Sequence, residues 1–454
     1  MSGGGGYDTD ELARLAQGVC ERATPHEEIE VCVSTGRSMT VRAYLGEVES
    51  LKSGVSAAIG IRIVSGGRQG FASAGSLDHD VVADTLEAAR RNVEFGEPDP
   101  HQALALPDGA LPPGLDLSDA SVLSIPESDK IATAIDIERR CLAADPRISG
   151  VRVAAWSDAW SQRALASSAG ICAQSESGNC SVGVQPLAVS GDETQIGYAG
   201  DAARRFDDLD IDRVISEAAE MATGQLGATK PRSERLTVVL EPSVAAAFLR
   251  VVSSVLTADS VLKGRSPFAD RVSEQIADER LHLADDPTDP STLGAANHDG
   301  EGLGARRNEL INAGVLQGFL HNAYTARRSA TVSTGSAVRS TRSVPGVGLH
   351  AMTVSPGDVA AEDLLASVCD GVLVRGVNGL HSGVNPTSGD FSVGAWGHRI
   401  AGGELAEPFR EATIASTLQR MLLDICGIGA EAKRLAGGMA MPPLVIADVA
   451  LSGV

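Results

Sequence analysis

A glycine-rich turn in the C-terminal half carries two carboxylates at close spacing. It reads His298-Asp299-Gly300-Glu301-Gly302, and Arg306 follows shortly after it. Because glycine allows a close approach of the backbone, such a turn can present carboxylates to a ligand. The alternative is a solvated turn whose carboxylates pair with nearby arginines, and composition alone favours that alternative.

A second glycine-rich segment, 378–397, contains His381, Ser382, Asp390 and Ser392, the residue types of nucleophilic catalysis. A catalytic triad is recognised by its geometry rather than by spacing. Adjacent residues of an extended segment point to opposite faces, so His381 and Ser382 would not pair easily. The sequence also has no G-x-S-x-G elbow. The other interpretation is a glycine-rich strand pair on which a peptide backbone can dock, or plain β-structure.

Metal-binding and phosphate-binding motifs are not found in the sequence. None of the nine histidines forms an i,i+4 or i,i+5 pair with an adjacent Glu, and the seven cysteines include no CxxC pair. A zincin-type helix and a zinc-finger spacing are therefore not expected. The turn at 66–70 joins strand-like segments and is interpreted as a hairpin rather than a phosphate loop. We predict no metal and no cofactor in this chain.

Composition and charge limit the classes of function. The chain has 454 residues, of which 43% are hydrophobic, and a formal net charge of −21. This length predicts two to four domains with cores, and the acidic charge disfavours direct binding of nucleic acid. No stretch approaches the ~18 apolar residues of a membrane span. Scattered cysteines and an N-terminus without a signal-like pattern predict a cytoplasmic protein with reduced thiols.

The elements that must position these residues are helices and runs of short strands. The predicted N-terminal domain, 1–118, contains helices at 8–22 and 78–95, a β-meander between them and a proline-rich loop at 96–118. The predicted central domain, 119–230, contains helices at 127–143 and 210–222 around a second group of strands. Helices segregated from antiparallel strands are typical of the α+β class rather than of doubly wound α/β folds.

The predicted C-terminal domain, 231–454, is β-rich. A buried strand at 236–240 leads into a helix that begins at Pro242, where proline suits a first turn. The chain then reads as strand-like and glycine-rich over 270–405, and as an amphipathic helix over 411–426. The fold prediction is therefore α+β, with two N-terminal helix-on-antiparallel-sheet units followed by this β-rich domain.

Two long segments resemble the TldD/PmbA family, which was once described as a modulator of DNA gyrase. They are the segment that begins HDGEGLGARRNEL (298–339) and the segment that begins GVNGLHSGVNPTSGDF (376–422), in that order. The final segment, 441–454, also fits, and the resemblance covers most of the chain.

The resemblance implies one of two branches. The TldD branch carries an HExxxH zinc helix and a distant Cys ligand, and the PmbA/TldE branch lacks them. The corresponding stretch here, 248–255, contains no His and no Glu, and the stretch near 437–443 contains no Cys. The resemblance therefore implies a non-catalytic, zinc-free PmbA/TldE-like chain. Its partner in a cytoplasmic heterodimer would be a TldD-type metallopeptidase subunit that holds the zinc, and a homodimer could form when the chain is alone.

The resemblance also implies substrates and contact residues. Unfolded peptides, leader segments of modified peptides or small amide conjugates of natural-product pathways would be hydrolysed by the partner, while this chain shapes the shared cavity. Two other functions stay open, namely an autonomous metal-independent hydrolase using His381, Ser382 and Asp390, and a binding protein that regulates gyrase. For one of the candidate contacts below, His321, the alternative is a buried histidine that binds no substrate. The candidate substrate contacts are Asp299, Glu301, Arg306, His321, His381, Asn385, Asp390 and Ser392.

Overall fold

A computed structural model describes residues 7–454, and the glycine run at residues 3–6 lies outside the described residues. The predicted α+β class is confirmed. No helix of the described part of the chain is long and apolar enough to cross a membrane.

The elements of the first half are α1 (Thr9–Cys20), β1 (Glu28–Tyr44), β2 (Glu47–Ser65), β3 (Arg68–Ala74), α2 (His79–Val93), α3 (Ser121–Ser124), α4 (Glu127–Ala144), β4 (Ile148–Ser167), β5 (Cys172–Ser190), β6 (Glu193–Ile196), β7 (Ala199–Ala203) and α5 (Ile211–Thr223), with a 3-10 turn at Phe206–Asp208.

One antiparallel sheet joins all the strands of the first half. Its order is β3-β2-β1-β4-β5-β6, and β7 pairs with β5. The predicted β-meander is confirmed for β1, β2 and β3. Strand β1 runs unbroken through Gly36 because it is paired on both edges, with β2 and with β4. The predicted hairpin at 66–70 is confirmed, since Gly66 and Gly67 both have the positive φ of a tight turn between β2 and β3.

The four long helices cover one face of this sheet. Odd-numbered residues of β1 point to that face. Ile29, Val31 and Val33 pack with α1 and α2, and Met39 and Val41 pack with α4 and α5. Even-numbered residues, such as Glu30 and Cys32, point to the opposite face because side chains alternate along a strand. That opposite face receives the C-terminal half of the molecule.

The proline-rich segment at 96–118 contains no helix or strand and lies against the C-terminal half. The Arg327 guanidinium donates hydrogen bonds to the carbonyl oxygens of His101 and Ala103, at 2.8 and 2.6 Å. Leu104 and Ala105 are fully buried. The predicted proline-rich loop is therefore a wrapping loop that packs against the C-terminal half.

The C-terminal half is built on a six-stranded mixed sheet with the order β17-β16-β15-β8-β21-β18, and an additional pairing of β17 with β21 curls this sheet on itself. The helix α6 packs its apolar side into the large core beneath. The elements are β8 (Glu234–Leu240), α6 (Pro242–Val255), α7 (Ala258–Leu262), β9 (Leu283–Asp285), β10 (Asn308–Asn312), β11 (Val315–Leu316), α8 (Ala323–Arg328), β12 (Ala337–Val338), β13 (Gly346–Val347), β14 (Met352–Val354), α9 (Ala361–Ala366), β15 (Asp370–Asn378), β16 (Asp390–Ala401), β17 (Glu404–Thr417), α10 (Leu418–Leu423), β18 (Ile425–Ile428), β19 (Lys433–Arg434), β20 (Ala440–Met441) and β21 (Leu444–Ser452).

The predicted helix at 411–426 is wrong. Residues up to Thr417 form the end of β17, and only α10 is helical. Ala412 and Ile414 are buried while Glu411 is exposed, which is a strand alternation that the apolar residues further along had obscured. Pairing of β17 with both β16 and β21 decides the conformation. The region 270–369 is also less regular than predicted, whereas the glycine-rich strand pair is confirmed as β15 and β16.

Candidate functional site

A cavity of about 300 Å³ lies between the sheet of the first half and loops of the C-terminal half. Strands β1, β4 and β5 provide one wall, and the loops around 295–300 and 337–339 provide the other. The polar or titratable residues of its lining, which contribute backbone or side-chain atoms, are Ser161, Arg163, Gln174, Ser175, Glu176, Ser177, Asn297, His298, Asp299, Arg339, His350 and Cys32.

Strand alternation makes the sheet wall polar. Arg163 of β4 lies opposite Ser175 of β5, and Ser161 lies opposite Ser177, so these four side chains share one face. The neighbouring pair of Gln162 and Glu176 points to the other face of the sheet. There the Gln162 amide donates to the Glu176 carboxylate at 3.2 Å. The cavity therefore receives a guanidinium and hydroxyl groups from the sheet, while the nearest sheet carboxylate is turned away.

Asp299 lines the cavity, but its carboxylate is occupied by backbone donors. Oδ1 accepts hydrogen bonds from the backbone N–H groups of Glu301 and Leu303 at 2.9 and 3.0 Å, and Oδ2 accepts one from Ala337 at 3.1 Å. Burial raises the pKa of this carboxyl, and the three backbone donors oppose that rise. Asp299 thus holds the turn against β12 and has little free capacity for a ligand.

Glu301 is fully buried beside the cavity rather than in its lining. Its Oε2 accepts a hydrogen bond from the backbone N–H of Ala323 at 2.8 Å, and its Oε1 lies 3.9 Å from Nη1 of Arg62. Arg62 also lies 3.6 Å from Glu30, which in turn pairs with Arg339. These four buried charged side chains, which we call the interdomain charge cluster, join β1 and β2 to the C-terminal loops.

Two further predicted contact residues lie outside the cavity lining. Arg306 pairs through Nη2 with Oδ2 of Asp108 at 2.5 Å, which ties it to the wrapping loop. His321 is half-buried, and its backbone N–H donates to Oγ1 of Thr334 at 2.8 Å. Burial lowers the pKa of the His321 imidazole and thereby favours its neutral form.

The remaining predicted residues belong to the loop that connects β15 and β16 and to the start of β16. His381 and Ser382 lie in a turn rather than in the extended segment expected from the sequence. The Asp390 carboxylate accepts a hydrogen bond from Oγ of Ser388 at 2.6 Å. Asn385 caps the same loop, since its Oδ1 accepts from the backbone N–H of Thr387 at 3.0 Å.

The predicted residues thus form two groups. Among residues 7–454, no hydrogen bond or ion pair joins the loop with His381, Asn385, Asp390 and Ser392 to the turn with Asp299. In the same part of the chain no hydrogen bond joins His381, Ser382 and Asp390 to one another.

The sequence reasoning missed the sheet residues of the cavity, above all Arg163. The available signal was the placement of Ser161 and Arg163 at alternate positions of one strand, and of Ser175 and Ser177 at alternate positions of the next. A polar face on both strands predicts that this face is solvated or lines a site.

Helix α6 does not fit a metal ion. Residues 242–256 include no His, Cys, Asp or Glu, and Phe248, Leu249 and Val252 pack into the C-terminal core. Across the described part of the chain, no group of three or more His, Cys, Asp or Glu side chains is arranged to hold a metal ion. The donor set that a zinc site requires is therefore not present on this helix.

Comparison with known proteins identifies the family. Residues 233–453 match the PmbA/TldA metallopeptidase C-terminal domain, residues 121–226 the central domain and residues 29–93 domain 1. The chain is 26% identical to Metalloprotease PmbA of Escherichia coli O157:H7 over 92% of each chain. It is also 26% identical to a Metalloprotease PmbA homolog of Haemophilus influenzae over 88% of this chain and 86% of that protein.

Solved structures share the fold. The crystal structure of TldE from Thermococcus kodakarensis superposes with a TM-score of 0.87 at 23% identity, over 98% of this chain and 99% of that one. The three domain matches follow one another in order and together cover most of the chain. The chain therefore belongs to the PmbA/TldD metallopeptidase family.

Proposed function

We propose that this chain is a zinc-free, non-catalytic PmbA/TldE-like subunit of a heterodimeric peptidase whose zinc is held by a TldD-type partner. The observation that carries the proposal is helix α6, where the metal-holding branch of the family has its zinc ligands and this chain has only apolar and small polar side chains and Arg250. A peptidase reaction at this helix would need ligands from elsewhere. The substrates would be unfolded peptides or small amide conjugates, and the compartment would be the cytoplasm.

An open sheet edge supports assembly with a second polypeptide. Strand β2 pairs with β3 only from Ile59 onward, so residues 47–58 have one unpaired edge in the described part of the chain. Val48, Leu51 and Val55 are exposed there, on the face where Val41 of β1 is buried. Unpaired edges with exposed apolar side chains are usually covered by another chain or protected against pairing. We therefore assign the TldD-type partner to this edge.

The experiment is a co-purification of the tagged chain with the TldD-type protein of the same organism. Zinc content and cleavage of an unstructured peptide are measured for the complex and for each chain alone. A stable one-to-one complex is expected, with zinc and its ligands in the partner. Activity is expected to be highest, by an order of magnitude or more, when both chains are present.

Two control variants, one in the partner and one in this chain, test where the zinc and the activity reside. Replacing the first His of the partner's zinc motif by Ala should abolish cleavage while the complex still forms. In this chain, the variant Arg250→Ala changes an exposed side chain of α6 and should leave zinc content and cleavage unchanged. If the isolated chain cleaves the peptide in the presence of a chelator, the proposal is wrong, and the hydrolase using His381, Ser382 and Asp390 takes its place.

A further inference from the structure

We propose that the cavity between the sheet and the C-terminal loops is a binding site for a carboxylate group, and that Arg163 is its recognition residue. Arg163 is half-buried in the cavity wall. Its only hydrogen bond in the described part of the chain runs from Nη1 to the carbonyl oxygen of Arg339, at 3.5 Å. No carboxylate oxygen of residues 7–454 lies within ion-pair distance of this guanidinium. Its Nε and Nη2 are not among the buried polar atoms without a partner, so solvent reaches them.

The carboxylates that surround the cavity are already engaged. Asp299 accepts three backbone hydrogen bonds, and Glu176 accepts from Gln162 on the opposite face of the sheet. Asp285 accepts hydrogen bonds from the backbone N–H groups of His350 and Ala351. The other guanidinium of the lining, Arg339, is fully buried and paired with Glu30. The cavity therefore keeps one guanidinium, that of Arg163, without a carboxylate partner among the described residues, in a chain whose net charge is −21.

The neighbouring groups fit an oxyanion. Ser175 lies directly opposite Arg163, and Ser161 and Ser177 follow on the same face of the sheet. Hydroxyl groups can donate to the oxygens that a guanidinium holds in its planar fork. A volume of about 300 Å³ is at the lower end of small-ligand sites and suits one or two amino-acid residues. A single free guanidinium favours a singly charged carboxylate over a doubly charged phosphate.

The ligand class is therefore a peptide carboxylate, either an acidic side chain or a C-terminus. Binding of the carboxylate is a property of this chain alone. Its interpretation as part of a peptide substrate rests on the proposed function. The two can fail separately, because the binding experiment needs no partner and no zinc.

The experiment is a titration of the full chain with two singly charged peptide acids, followed by ligand-observed NMR and calorimetry. N-acetyl-Ala-Glu-amide carries the carboxylate on its side chain, and N-acetyl-Ala-Gln carries it at the C-terminus. The matched neutral ligand is N-acetyl-Ala-Gln-amide, and inorganic phosphate is titrated separately. At least one of the two acids is expected to bind about tenfold or more tightly than the neutral amide. The variant Arg163→Gln should lose that preference. Arg152→Gln, which changes an exposed arginine of the same strand, should bind as the wild type does.

Three results would overturn the proposal. They are equal binding of acid and amide by the wild type, unchanged binding by Arg163→Gln, and tighter binding of phosphate than of the peptide acid with loss in Arg163→Gln. The last result would make the site a phosphate site. If Arg163→Gln does not fold, the preference of the wild type for acid over amide and the behaviour of Arg163→Lys decide. That variant keeps the charge without the planar fork and is expected to bind the acid more weakly than the wild type.

Discussion

The Glu301 carboxylate is held between one backbone donor and one guanidinium where the sheet meets the C-terminal loops. It is fully buried, and within residues 7–454 its Oε1 has no hydrogen-bond partner. Burial and the neighbouring carboxyl of Asp299 raise the pKa of Glu301 to about 7, against the lowering effect of Ala323 and Arg62. Its ionisation therefore costs free energy in the folded state that it does not cost in the unfolded chain.

The variant Glu301→Gln tests this assignment. Because the folded-state pKa lies above the unfolded value of 4.5, the folded protein holds more protons between these values and its stability falls as pH rises through this window. We expect the wild type to lose about 2 kcal/mol of unfolding free energy relative to Glu301→Gln between about pH 5 and pH 8. Urea unfolding of both proteins at each pH measures this difference.

The matched control is Glu431→Gln, which changes an exposed glutamate. The difference between this control and the wild type should stay constant over the same pH range. If Glu301→Gln behaves in the same way, Glu301 is ionised throughout and the buried interdomain charge cluster stabilises the charged form more strongly than its burial disfavours it.

At the scale of elements, strand β2 touches the C-terminal half through a glycine. A Cβ atom at Gly60 would lie 2.1 Å from the carbonyl oxygen of Thr341 and 3.3 Å from Cε2 of Phe71. The closest atom belongs to the backbone of Thr341, and a backbone segment cannot move aside as readily as the end of a flexible side chain. Glycine is therefore required here for the close approach of the segment after β12, and this contact forms part of the same interdomain surface as the buried charge cluster.

We expect Gly60→Ala to lower the free energy of unfolding by about 1–3 kcal/mol, because the segment around Thr341 must shift. Gly54→Ala is the control on the same strand, since a Cβ atom there meets nothing within 4 Å. Chemical denaturation of both variants provides the measurement. Equal stability of the two variants would mean that the segment after β12 adapts without loss.

At the scale of the whole molecule, the unpaired edge of β2 predicts where the partner binds. The double variant Leu51→Lys, Val55→Lys adds two positive charges to this exposed edge and should abolish co-purification with the TldD-type chain. Because both side chains are already exposed, the melting temperature of the isolated chain should change little.

Val332→Lys is the matched control, because Val332 is 79% exposed and lies in the loop between α8 and β12 rather than on the edge of β2. It should leave the complex intact. Complex formation by the double variant would place the partner on another surface without affecting the zinc-free assignment.

Much of the fold follows from local pattern. The predicted helices at 78–95, 127–143 and 210–222 end within two residues of α2, α4 and α5, because a helical apolar stripe involves only neighbours in the chain. The strand at 236–240, the helix from Pro242 and the class of the fold were predicted in the same way. The helix at 411–426 failed because pairing with two distant strands outweighs local periodicity.

The features of the candidate site also separate into those that follow from the sequence and those that depend on long-range contacts. The sequence by itself determined that α6 has no His or Glu where the zinc-holding branch has them, because side-chain chemistry does not depend on folding. Only the tertiary structure decided three features of the site. Glu301 is buried against Arg62, the Asp299 carboxylate accepts backbone hydrogen bonds, and Arg163 lines a cavity. Desolvation and charge pairing depend on groups that are distant in the chain, and these interactions exist only when both halves of the molecule meet.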